Sequence, residues 1–81
     1  MTNITVYSTK MCPYCVMAKK YLESKNIDFT DVDVSSDYSK ALEMVKKSGQ
    51  QGVPVIDIDG QIIVGFDRQK IDQILKWNFW R

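Results

Sequence analysis

Eighty-one residues, 44% of them apolar and 26% charged, fit a small soluble globular domain with one shared core, spanning residues 1–81. A formal net charge of +1, with no basic stripe, argues against a nucleic-acid-binding surface. No apolar run is long enough to cross a bilayer, so no membrane partner is expected.

The β-branched and aromatic run Ile4 to Tyr7 predicts a first strand. Cys12 to Ser24 predicts a helix with Val16, Met17, Tyr21 and Leu22 on its apolar repeat and Pro13 in its first turn. Asp28 to Val34 predicts a second strand, with Phe29, Val32 and Val34 as its apolar positions. A second helix follows, capped by Ser36 or Asp37, carrying Tyr38, Ala41, Leu42, Met44 and Val45 inward and stopped at Gly49. Val53 to Ile58 and Gln61 to Val64 flank Asp59-Gly60, a two-residue hairpin signal. Gly65 ends that strand, and Asp67 caps a last helix carrying Ile71, Ile74 and Leu75. The order β-α-β-α-β-β-α begins with a right-handed parallel crossover and then adds a hairpin to the same sheet. An α/β fold follows, with a mixed four-stranded sheet flanked by helices.

Cys12-Pro13-Tyr14-Cys15 lies where the first strand gives way to the first helix. Unpaired N–H groups at a helix start carry partial positive charge, which favours a thiolate at Cys12, and Lys10 and Lys19 add to that field. Cys15, one helical turn on, is close enough to close a disulfide and is expected to be the more buried of the two. Cys12 is then the nucleophile that attacks a disulfide, and Cys15 or an outside thiol resolves the mixed disulfide. The chain has no histidine, which removes Cys–His pairs and His-ligated metal sites, and two cysteines alone do not close a tetrahedral zinc site. No metal site is expected. A copper carrier is the alternative from another class, but it needs a different element order and a Met two residues ahead of the pair, where Lys10 stands. The start of the chain lacks a signal-peptide pattern, so a reducing, cytoplasmic setting is expected.

Cys12-Pro13-Tyr14-Cys15, Gly52-Val53-Pro54 and Val64-Gly65-Phe66-Asp67 resemble, in order and spacing, the three active-site segments of glutaredoxins. The resemblance implies a thioredoxin-like fold and reduction of protein disulfides and glutathione mixed disulfides. It also implies no tightly bound cofactor, with glutathione as co-substrate. Pro54 would follow a cis bond facing the cysteines, and Val53 would pair its backbone with the glutathione peptide. Gly65, Phe66 and Asp67 would receive the γ-glutamyl end, while Lys10, Tyr14 and Gln50 would complete the site. The partners implied are glutathione, disulfide-containing proteins and the glutathione reductase system, with the protein acting as a monomer.

The chain departs from the family pattern at Val64, where a glycine is common, at Arg68, where a second acid is common, and at Thr9, where a lysine is often found. A related group of glutaredoxin-like redoxins is reduced by thioredoxin reductase, and its Gly-Phe turn is similar to Gly65-Phe66. That donor is the alternative. The aromatic tail, Trp77, Phe79 and Trp80, is expected to fold back over the core.

Overall fold

A computed structural model describes the backbone of residues 3–79 and the side chains of residues 3–76. The expected packing of the aromatic tail lies outside the described side chains. The elements run β1 (Ile4–Ser8), α1 (Pro13–Ser24), β2 (Thr30–Asp33), α2 (Tyr38–Ser48), β3 (Val55–Ile58), β4 (Gln61–Val64) and α3 (Arg68–Phe79). The sheet order is β2-β1-β3-β4, with β1 and β2 parallel and the other two pairs antiparallel. This is the mixed sheet that the element order implied and the thioredoxin-like arrangement that the resemblance implied. None of the described helices is long and apolar enough to cross a membrane.

Alternation along the strands sorts the core into two layers. Ile4 and Val6 of β1, Ile56 and Ile58 of β3 and Ile63 of β4 point to one face, where they meet Ala18 and Leu22 of α1 and Ile71 and Leu75 of α3. Tyr7 and Val55 point to the other face and meet Met44 of α2, with Val32, Val34, Val45, Val53 and Ile62 packed around them. The two central strands thus supply most of both layers, and the reactive loop hangs from the end of β1.

Local chemistry sets the boundaries. Asp37 caps α2 by accepting from the Ser39 and Lys40 N–H groups at 3.1 and 3.2 Å. Gly49 ends the helix at φ 75°, its N–H donating to the Val45 carbonyl at 2.8 Å. Asp59 and Gly60 both have positive φ, 51° and 91°, as a tight hairpin turn of this hand requires. The bend costs an asparagine, aspartate or glycine least.

Two helix faces differ from the sequence expectation. On α1, Val16 and Met17 are exposed, and the buried face is Cys15, Ala18 and Leu22. Both sets satisfy a helical repeat, but the small Ala18 lets α1 lie close to the sheet and turns Cys15 inward. On α2, Tyr38 is 78% exposed and Leu42 is also exposed, while Met44 is buried. One helix alone covers that side of the sheet, so only a narrow stripe of it reaches the core. Strand ends shift as well. β2 is shorter than Asp28 to Val34, and β3 starts at Val55 because Val53 and Pro54 form a turn.

Candidate active site

The first helix begins with its reactive residue as the cap. Cys12 has extended backbone, and its Sγ accepts a hydrogen bond from the Cys15 N–H at 3.2 Å. A sulfur in this position faces the unpaired N–H groups of the first turn, which favour negative charge there. Pro13 at the first helical position sacrifices only an N–H that would be unpaired anyway. Cys12 is partly exposed and Cys15 is buried, and both are free thiols.

Their environments differ in a way that separates their chemistry. Burial pushes the Cys15 thiol up to about 11, with the hydrogen bond to Cys12 adding to the rise. The Thr9 N–H and the Lys19 charge act in the opposite direction. The neutral form of Cys15 is therefore the stable one at neutral pH. Iodoacetamide at pH 7 is expected to modify Cys12 alone, with Cys15 labelling appearing only as the pH approaches 11. Peptide mapping by mass spectrometry checks this, and equal labelling of both at pH 7 would contradict it.

The second segment faces the first. The Val53–Pro54 peptide bond is cis, and the Cys12 thiol donates to the Val53 carbonyl at 3.8 Å. Pro54 is fully buried, and its carbonyl accepts from the Gly65 N–H at 2.8 Å, which ties the third segment to the second. Gly65 has φ 81°, a conformation that favours glycine. Asp67 then starts α3, its carboxylate accepting from the Lys70 N–H at 3.1 Å and its carbonyl from the Ile71 N–H at 3.0 Å. Three stretches far apart in the chain are thereby linked: the second meets the partly exposed Cys12, and the third is tied to the second.

Comparison with known proteins fits this geometry. The family model for glutaredoxin matches residues 4–63. The chain belongs to the glutaredoxin family. It is 53% identical over 73 residues to a glutaredoxin-like 8.6 kDa protein of the rubredoxin operon of Clostridium pasteurianum, covering 90% of this chain and 97% of that one. It is 39% identical to glutaredoxin 3 of Escherichia coli, covering 94% of this chain and 100% of that one. Among solved structures, the glutaredoxin-like NrdH-redoxin of Escherichia coli superposes with a TM-score of 0.77 at 25% identity, covering 89% of this chain and 93% of that one. Family membership makes this glutaredoxin a thiol–disulfide redox protein.

The remaining expected site residues are placed unevenly. Tyr14 stands 62% exposed beside the pair. Gln50 is turned back on its own loop: its amide N–H donates to the Gly52 carbonyl at 3.0 Å, and its oxygen accepts from the Gly52 N–H at 2.5 Å. In this conformation it braces the loop before Pro54. Lys10 is exposed in the turn before Cys12 and lends a small share to the lowering of Asp33, whose main partner is Ser35. Phe66 directs its ring against Tyr21, with centroids 5.9 Å apart. Arg68 lies over the same Tyr21 ring, 5.1 Å from its centre.

Sequence reasoning missed Ser8 and Asp31, and it read Lys19 only as part of a general positive field. Lys19 forms an ion pair with Asp31 at 3.0 Å, over the buried Ser8 hydroxyl. The spacing signalled only that Lys19, four residues after Cys15, shares its helix face; nothing local linked it to Ser8 or Asp31.

Proposed function

We propose that this glutaredoxin is a dithiol oxidoreductase that reduces protein disulfides and glutathione mixed disulfides, with Cys12 as nucleophile and Cys15 as resolving thiol. The observation that carries the reading is the setting of Cys12 Sγ, which accepts from the Cys15 N–H and lies 3.8 Å from the Val53 carbonyl. An attacking sulfur needs exposure and stabilised charge, and a helix cap supplies both. A resolving sulfur needs proximity and protection from outside reagents, which burial one turn away supplies.

The substrate's cysteine would lie along Val53, exchanging backbone hydrogen bonds as a short strand does. For glutathione, the γ-glutamyl carboxylate would take the N–H groups at the start of α3 near Gly65 and Phe66, and Asp67 would hold the ammonium. Tyr14 would flank the chain, Gln50 would turn towards the glycine carboxylate, and Lys10 would complete the site. No tightly bound cofactor and no metal take part in this scheme. The proposed setting is reducing and cytoplasmic, with the protein acting as a monomer and without nucleic-acid or membrane partners.

A second reading concerns the electron donor. Gln50 is engaged by Gly52, and Arg68 puts a cation where a second acid would favour the glutathione ammonium. Both features weigh towards reduction by thioredoxin reductase. A coupled turnover assay with a small mixed disulfide separates the donors, with glutathione and glutathione reductase in one arm and NADPH and thioredoxin reductase in the other. The first reading expects turnover in the glutathione arm. Turnover only in the other arm would transfer the donor role and leave the dithiol chemistry in place, and silence in both with folded, reduced protein would remove the oxidoreductase reading.

A further inference from the structure

Behind the cysteine pair lies a polar cluster that the exchange scheme does not use. Ser8, the last residue of β1, is only 2% exposed, and its hydroxyl donates to Asp31 Oδ1 of β2 at 2.9 Å. Lys19 of α1 donates from Nζ to the same hydroxyl at 3.3 Å and to Asp31 Oδ2 at 3.0 Å. Ser8 thus both donates and accepts, and it fixes the end of a long, otherwise mobile side chain. The next residue along the chain, Thr9, turns its N–H to Cys15 Sγ. Lys19 stands one turn beyond Cys15 on the same face of α1, and its pinned charge and the Thr9 N–H both favour negative charge on the buried sulfur.

We propose that Lys19 is a positioning residue for the second half of the exchange: its ammonium, pinned by Ser8 and Asp31, stabilises negative charge on Cys15 Sγ as that sulfur attacks the mixed disulfide. The proposal rests on the dithiol reading above. In the step concerned, the Cys15 sulfur forms a bond to Cys12 Sγ, the bond from Cys12 to the substrate sulfur breaks, and the departing thiolate takes up the Cys15 proton. One dithiol is oxidised to the Cys12–Cys15 disulfide and the substrate leaves as a thiol, so the electrons balance with no outside reactant.

Burial makes this step costly, because a thiolate in an apolar setting is unstable. Among the described residues, the polar groups acting on Cys15 are Cys12 at the helix cap, the Thr9 N–H from the loop after β1, and Lys19 on α1, with Ser8 of β1 and Asp31 of β2 behind Lys19. Cys12 opposes the Cys15 thiolate while it is itself free, and that opposition ends once its sulfur is tied up in the mixed disulfide. Thr9 and Lys19 then remain as the favourable groups.

One equivalent of dithiobis(nitrobenzoate), mixed rapidly with the reduced protein, tests this. Cys12 releases one coloured thiolate in a first phase, and Cys15 releases the other in a second. Lys19→Met is expected to slow the second phase roughly tenfold near pH 7 and to move its pH profile alkaline by about one unit, leaving the first phase unchanged. Lys19→Gln, which can still hydrogen-bond Ser8 or Asp31 but lacks the charge, should behave like Lys19→Met, and Lys19→Arg should stay near wild type. A second phase within twofold of wild type in both neutral variants would overturn the inference. Equal slowing of both phases would overturn it too, since the effect would then lie at Cys12 or in the packing of α1. If the unaltered protein releases a single equivalent, the dithiol reading itself fails, and the role of Lys19 goes with it.

Discussion

Cys12→Ser is expected to abolish turnover of every disulfide substrate, while Cys15→Ser should abolish only the reactions that need an internal disulfide. The asymmetry follows from position. Cys12 is partly exposed at the helix cap, with its Sγ against the Val53 carbonyl and the Cys15 N–H, where a substrate sulfur can approach it. A serine hydroxyl there ionises too weakly near pH 7 to attack a disulfide, so the loss should reach the detection limit of the coupled assay. Cys15 is buried and its thiol is raised to about 11. It is thus a poor first attacker, and it acts after the mixed disulfide has formed beside it. In Cys15→Ser the mixed disulfide waits for an outside thiol. Turnover of a small glutathione mixed disulfide should persist, and reduction of a protein disulfide such as that of insulin should fall by at least about tenfold. Full activity of Cys12→Ser on any disulfide would move the nucleophile to Cys15 and reverse the assignment.

The parts of this fold legible in the sequence are those governed by local chemistry. Asp37 and Gly49 bracket α2, Asp59-Gly60 turns the hairpin, and Pro13 follows a capping cysteine, because each of these residues has few neighbours to consult. The links from Cys12 to Val53 and from Pro54 to Gly65 had a different source in the sequence, the joint resemblance of three segments to glutaredoxins, which carries long-range information that no single window holds. Helix faces were not legible. Val16 and Met17 are as apolar as the residues that are buried, and only the lie of α1 on the sheet, set by Ala18 and Leu22, turns them to solvent. The same limit hid the Lys19–Asp31–Ser8 cluster. Its members come from α1, β2 and β1, and the register that brings β2 alongside β1 is a tertiary fact. Gln50 shows the converse: a residue expected from its type and position to face a substrate carboxylate is engaged in the described conformation by the backbone of Gly52.

Tyr7→Ala is expected to be among the most destabilising single changes in this domain. Tyr7 sits on a central strand, 1% exposed, packed with Val55 and Met44 in the smaller of the two core layers. Emptying such a site in other proteins costs about 3–5 kcal/mol for a large aromatic. A domain of this size has roughly 4–12 kcal/mol in total. The ring also carries a polar link between layers. Its hydroxyl donates to Glu43 Oε2 at 2.6 Å and accepts from Lys47 Nζ at 2.8 Å, and Lys47 pairs with Asp57 Oδ2 at 2.8 Å. Helix α2 is therefore fastened to Tyr7 of β1 through Glu43 and Lys47, and to Asp57 of β3 through Lys47. Tyr7→Phe keeps the packing and loses the link, so its deficit should be much smaller than that of Tyr7→Ala. Its pH dependence is the more telling measurement. The Tyr7 hydroxyl, first among the causes, holds the Glu43 carboxyl below its usual range. A depressed carboxyl contributes stability that is present above its unfolded value and is lost as the pH falls through its folded one. The gap between wild type and Tyr7→Phe should accordingly be widest near pH 7 and narrow as the pH drops below about 4. Urea denaturation at a series of pH values measures it, and a gap that stayed constant into acid would mean that the Tyr7 hydroxyl does not stabilise the Glu43 carboxylate.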